Sequence, residues 1–290
     1  MPVTPPPSVA FVIPAYNAAH VIAEAIASAR CQSVPAREII VVDDGSRDNT
    51  AEIAEREGAR VIRQPNGGPA AARNAGIRAT SAEWIALLDA DDVCFPHRLE
   101  RQLPHLDDPT VAVVSSENFV PGMLPGAWPD PIDFEMLWRR NRIQTSTAVV
   151  RKAAWESIGG FDEARELIGV EDYNLWLRLA HAGWRFVYLP ETLVEYRPSP
   201  GSLTGQTRPF ADAELFNVRR MATQFGLSDS ALRAREHEIY RRYGLELFHY
   251  RDWVSARAFL LEAAQRGPLG LRERLRLWAT WLPAPKRKRS

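Results

Sequence analysis

The sequence predicts an α/β fold: a doubly wound, mostly parallel sheet followed by a C-terminal α-helical extension. Three observations carry this reading. Over roughly the first 115 residues, short apolar runs alternate with helical stretches of about ten to twelve residues, the rhythm of βαβ units. Several of those runs end abruptly in acids, which cannot continue into an apolar interior and so mark strand ends at an open sheet edge. From about Pro209 the alternation gives way to helical periodicity alone.

The elements follow in order. Val9–Ile13 is a continuous apolar run closed by Pro14 and reads as the first strand. Ala18–Ala29 is Ala-rich with helical spacing. Ile39–Val42 is a second strand ending in Asp43 and Asp44, then Gly45-Ser46. Asp48–Glu57 reads as a helix stopped by Gly58, and Arg60–Arg63 as a short strand. Asn66-Gly67-Gly68-Pro69 opens a helix through Ile77, with glycines and proline placed where a helix start favours them. Trp84–Leu88, without internal Gly or Pro, is a buried strand that runs into Asp89-Ala90-Asp91-Asp92. Pro96–Leu106 is a helix and Val111–Ser115 a further strand.

Beyond Asn118 the rhythm breaks. Pro121–Pro131 carries four prolines and two glycines and reads as a long loop or lid. Thr147–Val150 returns as a strand, Glu171–Ala182 is a helix stopped by Gly183, and Phe186–Leu189 and Thr192–Tyr196 make two late strands. Helices over Ala211–Phe225, Ser230–Phe248 and Trp253–Ala264 follow; the last two resemble one tetratricopeptide unit, too little for an array.

Composition narrows the class. With 46% hydrophobic and 25% charged residues over 290 positions, the chain reads as a soluble globular protein. A formal net charge of +0 argues against a nucleic-acid partner. Two cysteines, Cys31 and Cys94, make neither a disulfide framework nor a zinc site and fit a reducing cytoplasmic setting. The six histidines are scattered. No apolar run reaches the roughly 20 residues of a membrane span, and the proline-rich Met1–Ser8 has no signal-peptide pattern and reads as a loose leader. Charge is uneven, however: from Leu269 onward seven basic residues face the single acid Glu273. Leu269–Leu282 is a basic amphipathic stretch with Trp278 and Trp281. It either lies on an anionic membrane surface or packs on the rest of the protein.

Parallel neighbours deliver Asp43 and Asp44, and Asp89 and Asp91, to the same sheet edge. The helix opened by Asn66-Gly67-Gly68 brings N–H groups, a positive dipole end and, one turn in, Arg73; such an end suits phosphates. Two carboxylate groups beside a phosphate would repel it unless a divalent cation, Mg²⁺ or Mn²⁺, intervened. The combination favours a nucleoside diphosphate compound bound through a metal, although each site taken alone also fits ordinary turn chemistry. Glu171 and Asp172 open a helix that buries Leu175, Trp176 and Leu179. They either compensate the helix dipole or supply a carboxylate base for a hydroxyl nucleophile.

Six motifs occur in one order: Val12-Ile13-Pro14-Ala15-Tyr16-Asn17, Val41-Val42-Asp43-Asp44-Gly45-Ser46, Ala72-Arg73-Asn74-Ala75-Gly76-Ile77, Leu88-Asp89-Ala90-Asp91-Asp92, Gly159-Gly160-Phe161-Asp162 and Glu171-Asp172. Together, over Ser8–Thr204, they resemble an inverting family 2 glycosyltransferase of the GT-A fold. The resemblance implies a catalytic domain over 8–205, with a nucleotide-binding half (8–117) and an acceptor-binding half (118–205), behind a leader of residues 1–7 and ahead of a helical extension with a basic tail (206–290). It implies that Asp44 accepts from the nucleobase, that Pro14, Ala15, Tyr16 and Asn17 line the base and ribose pocket, and that Asn66, Arg73 and Ala90 lie near the donor. Asp89 would reach the ribose or a metal-bound water, Asp91 would ligate the metal, and Asp92 would cap. Asp172 would be the base, with Glu171 touching a sugar. The implied donor is a nucleotide sugar, a UDP-sugar foremost, and the implied acceptor a glycan or lipid-linked glycan in cell-surface polysaccharide or glycoconjugate synthesis. Relatives often carry a histidine after the position of Tyr196-Arg197; Pro198–Thr204 has none, so Arg197, Ser202 or Thr204 would have to cover its role. Two rival readings stand beside this one. A nucleotidyltransferase would want a Gly-rich phosphate loop that Pro14–Ala19 lacks. A catalytically silent nucleotide-sugar-binding subunit would recruit a partner through the helical tail.

Overall fold

In a computed structural model whose described residues are 7–120, 132–197 and 207–281, the chain opens with strand β1 (Val9–Ala15), helix α1 (Ile22–Arg30), β2 (Glu38–Asp43), α2 (Thr50–Arg56), β3 (Arg60–Arg63), α3 (Pro69–Ala79) and β4 (Trp84–Leu87). It continues through β5 (Val93–Cys94), α4 (Arg98–Gln102), β6 (Val111–Phe119), α5 (Phe134–Arg139), β7 (Val149–Arg151), α6 (Lys152–Ser157), α7 (Glu171–His181) and β8 (Arg185–Glu195). Helices α8 (Thr207–Phe225), α9 (Asp229–His249), α10 (Trp253–Arg266) and α11 (Leu271–Ala279) close the chain. The leader, the Pro121–Pro131 lid, the Pro198–Thr204 stretch and the Lys286–Arg289 tail lie outside the described residues, apart from Pro7 and Ser8.

The eight strands form one sheet of order β3-β2-β1-β4-β7-β6-β8-β5. Its first half is parallel: Ala15 of β1 lies opposite Asp43 of β2, and Val12 opposite Leu87 of β4, so these strands end on one edge. The sheet is mostly parallel, as expected, and its second half adds antiparallel pairings that the sequence did not announce. β7 runs antiparallel to both β4 and β6, and β5 antiparallel to β8, while β6 and β8 are parallel. An antiparallel neighbour needs no helical crossover, and among the described residues of the connection before β7 the helical pieces are short. The two expected late strands are one. β8 runs through Pro190 because its register against β6 shifts between Leu189 and Thr192, where a missing N–H leaves no ladder bond unmade. Two-residue β5 and the short helices α5 and α6 are too brief to announce themselves by periodicity.

β1 and β4 are buried on both faces, as strands covered by helices on each side must be. α3 approaches β1 and β2 closely because Gly76 has no side chain: a Cβ there would fall 2.5 Å from Val12 Cγ1 and 3.1 Å from Val42 Cγ2. Contacts divide the chain into two units, Met1–Pro200 and Gly201–Ser290. In the second, α9 and α10 pair along small residues: Gly244 faces Leu260, and Ala256 and Ala263 are buried.

Gly76→Val is expected to destabilise the fold by about 1–3 kcal/mol through overpacking against two stiff β-branched side chains. Thermal unfolding followed by far-ultraviolet circular dichroism measures it, and an unchanged midpoint would contradict the close approach.

Candidate functional site

The site lies where β1, β2 and β4 end. The Asp44 amide donates to the carbonyl of Ala15 at 2.8 Å, tying the two strand ends together. Beyond them Asn17 takes a left-handed conformation, φ 50°, which its short polar side chain tolerates. Asn17 N–H donates to Ser46 Oγ and Asn17 Oδ1 accepts from the Arg47 amide, at 2.9 and 2.8 Å. Pro14 is half-buried, Ala15 buried, and Tyr16 stands 49% exposed at this edge.

Asp44 is 3% exposed, and its carboxylate turns back onto the chain. Oδ1 accepts from Gln64 Nε2 and the Gly67 amide at 2.7 and 2.9 Å, and Oδ2 accepts from the Gly68 amide at 2.8 Å. Asn66 Nδ2 donates to the Asp44 carbonyl at 3.1 Å. This corrects the expected phosphate seat: the anion held by the glycine amides leading into α3 is the protein's own Asp44. Gly45 permits the turn, since at φ 79° a Cβ would sit 2.9 Å from the Asn66 amide. Asp44 thus has three side-chain acceptor bonds within the chain, and the implied nucleobase contact would have to share oxygens already in use.

The Arg73 side chain is buried. Its guanidinium is 3% exposed and spans two carboxylates, Nη2 to Asp89 Oδ1 and Nη1 to Glu171 Oε1, both at 2.6 Å. Burial pushes this guanidinium down, but the charges of Asp89 and Glu171 overcome that and hold it more basic than an ordinary arginine. Phe161 lies under it, 5.7 Å from centroid to Cζ. Glu171 Oε2 also accepts from the Gly169 amide at 2.7 Å. The cation between the acid groups is therefore, first of all, an arginine.

Around this clamp the other acids take distinct places. The Asp89 amide donates to Ser146 Oγ at 3.0 Å, while 35% of its side chain stays exposed. Ala90 and Asp91 are half-buried beside it. Asp92 is 2% exposed and accepts from the Arg197 amide at 3.0 Å. Burial first, then the charge of Asp89, raises its carboxyl to about 7. The Arg197 side chain meanwhile pairs with Glu24 and Glu195, so among the residues proposed to cover the missing histidine it is committed elsewhere. Asp172, next to the clamp, accepts from Thr145 Oγ1 at 2.9 Å and from the Tyr173 amide at 2.5 Å, with Asn141 Nδ2 at 3.4 Å. Burial, then the Glu171 charge, raises its carboxyl to about 7.

The structure thus brings Arg73, Asp89, Glu171 and Asp172 into one cluster. Asp44 stands apart from it at the start of α3, bonded to Gln64, Gly67 and Gly68, and Asp91 follows Asp89 by two residues beyond β4. Ile168 bridges the two halves of the site, since a Cβ on Gly68 would meet its Cδ1 at 3.7 Å. Sequence reasoning missed the supporting cast: Gln64, Asn141, Thr145, Ser146, and buried Arg98, which donates to the carbonyls of Leu87 and Ala148 at the root of the acidic strand end. A polar run, Gln144–Thr147, just before a strand was the available signal for two of them. Among the described residues no three His, Cys, Asp or Glu side chains gather as a metal cage. The donor set fits only a hard cation that takes one or two protein carboxylates and draws its other ligands from a phosphate or water.

Comparison with known proteins agrees with this architecture. Residues 10–160 match the family model described as glycosyl transferase family 2. A succinoglycan biosynthesis protein, ExoU, of Rhizobium meliloti is 30% identical over 280 residues, 88% of this chain and 81% of that protein. An uncharacterized glycosyltransferase of Rickettsia prowazekii is 27% identical over 271 residues, 83% of this chain and 84% of its own. Among solved structures, a Pyrobaculum calidifontis mannosyltransferase in complex with GDP-Man and Mn²⁺ superposes with a TM-score of 0.67 at 22% identity, covering 96% of this chain and 81% of that one. TarS of S. aureus in complex with UDP-GlcNAc gives 0.62 at 18%, covering 94% and 79%. The molecule has the GT-A fold. The chain belongs to glycosyl transferase family 2 and is a glycosyltransferase.

Removing Arg73 alone, as Arg73→Met, leaves Glu171 buried without its counter-charge and is expected to cost about 3–5 kcal/mol. Replacing Glu171 as well, in Arg73→Met/Glu171→Met, should recover a large part of that loss. Chemical denaturation of the single and double variants checks the coupling; additive effects would contradict the clamp.

Proposed function

We propose that this glycosyltransferase is an inverting, metal-dependent enzyme that moves a sugar from a nucleoside-diphosphate sugar to an acceptor hydroxyl in polysaccharide, lipid-linked glycan or other glycoconjugate synthesis. The observation that carries the proposal is the environment of Asp172, a carboxyl raised to about 7 beside the Asp89–Arg73–Glu171 clamp. A base works best when its pKa lies near the operating pH, and a neutral alcohol needs one to attack. The succinoglycan biosynthesis relative and the neighbours bound to GDP-Man and UDP-GlcNAc support the donor class and the setting.

In this reading residues 8–117 hold the donor and 118–205 the acceptor. Tyr16 and Asn17 border the nucleoside, with Pro14 and Ala15 beneath, while Asn66 and Asp44 close the far side. Asp172 draws the proton from the attacking hydroxyl, and Thr145 and Asn141 fix its carboxylate in place. Glu171 is held next to that base by Arg73 and the Gly169 amide. Asp91, with the uncommitted side of Asp89, would hold Mn²⁺ or Mg²⁺, and the donor's diphosphate would complete the cation's ligands. When bound, the cation supplies positive charge for the departing diphosphate.

Asp172→Asn should lower the initial transfer rate by about 10²–10⁴-fold, and Asp91→Ala with chelation should abolish a Mn²⁺-restorable activity. A panel of UDP-, GDP- and dTDP-sugars, first screened by thermal stabilisation, provides the donor; equal rates in native and both variant proteins would defeat the assignment. The pH dependence has a definite sign. The proton leaves Asp172 as pH rises through about 7, so the rate should climb about tenfold from roughly pH 6 to 8 and then level. Over the range from the ordinary carboxylate pKa up to about 7, the folded protein keeps a proton the unfolded chain has lost. This group's contribution to stability therefore falls as pH rises through that window.

A further inference from the structure

Within the C-terminal unit, α11 has two unlike faces. Helical spacing places Glu273, Leu277 and Thr280 together, and this face turns inward: Thr280 is 1% exposed, and Glu273 pairs with Arg241 of α9 at 3.2 Å. Arg257 of α10 holds the Thr280 carbonyl and stacks over Trp281, 4.1 Å from its ring centroid. The opposite face carries Leu271, Leu275 and Trp278 at i, i+4 and i+7, exposed by 74%, 58% and 65%. Exposed Arg272 and Arg274 flank this stripe on either side. The helix's one acid is thus spent on the inner face, and the outer face is apolar and cationic.

We infer that this outer face of α11 docks on an anionic lipid surface, with Leu271, Leu275 and Trp278 entering the interface and Arg272 and Arg274 meeting lipid phosphates. The composition and depth suit such a surface: a short row of large apolar side chains with an indole among them, edged by arginines, lies in the headgroup boundary rather than crossing it. No helix among the described residues is long and apolar enough to cross a membrane. A second copy of the chain fits less well, because a two-fold contact would set the arginine-edged stripe against the same arginines with no outward acid to pair them. Downstream, the sequence adds Lys286-Arg287-Lys288-Arg289, of the same sign. The inference does not depend on the role of Asp172. It deepens the acceptor proposal only in bringing the enzyme to a surface where a lipid-linked acceptor would reside.

The test uses the full chain and co-sedimentation with phosphatidylcholine vesicles, with and without phosphatidylglycerol. Partition onto the anionic vesicles should exceed that onto neutral ones by about tenfold or more and weaken as salt is raised. Leu275→Glu and Trp278→Glu should each reduce it by about tenfold, and Arg272→Glu/Arg274→Glu should remove the preference for anionic lipid. Leu275 and Trp278 are exposed, so thermal midpoints and donor hydrolysis of Leu275→Glu and Trp278→Glu in solution should match the native protein, which separates a failure here from a failure of the catalytic proposal. Arg274 Nε also donates to the Leu269 carbonyl at 2.9 Å, so the arginine variant is judged on its lipid preference alone. Equal partition onto both vesicle types, partition unchanged by Leu275→Glu, or a solution dimer by light scattering that Trp278→Glu converts to monomer would each overturn the inference.

Discussion

One guanidinium governs the spacing of this site. Arg73 links a strand end 16 residues away in sequence to a helix start 98 residues away. Taking the Arg73 and Glu171 charges out of water is costly, and apolar side chains of similar volume would often make a more stable packing. One nitrogen of the group, Nε, even has no hydrogen-bond partner among the described residues. What the clamp supplies is a fixed separation between the acid that ends β4 and the acids that begin α7. Neither Asp89 nor Glu171 can shift without breaking a short charge-assisted bond. Asp172 inherits its position from that constraint, and inherits part of its raised pKa from the neighbouring Glu171 charge.

Much of the first half of the fold was legible because it is written in strong local signals. Val9–Ile13, Ile39–Val42 and Trp84–Leu88 are uninterrupted apolar runs, and acids at their ends mark an edge whatever the tertiary context. The placement of α3 followed from proline and glycine chemistry. What the acids do was less legible. An aspartate, a pair of glycine amides and an arginine are each generic anion or cation partners, and sequence does not say which partner each will choose. Asp44 chose Gly67 and Gly68, leaving the expected phosphate seat filled from within, and Arg73 chose two carboxylates. The strand directions beyond β4 were hidden for another reason. β7 is three residues long and arrives after a long connection, so no periodicity reveals that it runs backwards.

The helical unit repeats the device with different residues. Glu214 of α8 is buried at 4% exposure and is met by Arg235, Arg242 and the Tyr243 hydroxyl of α9. Here too a carboxylate from one element is surrounded by donors from the next. α8 and α9 are thereby pinned in register as well as packed.

Asn74, beside Arg73 on α3, grips the Gly160–Phe161 turn. Its Oδ1 accepts from the Phe161 amide and Trp155 Nε1, while Nδ2 donates to the Phe161 carbonyl and Glu163. Arg178 of α7 holds the same turn from the other side, through the carbonyls of Ile158 and Gly160. Two successive side chains of a single helix therefore bind the first part of the domain to the second at separate points. Any later segment grafted in place of this one would have to carry a turn able to seat this asparagine. Otherwise the graft would unseat the helix that also aims the acids.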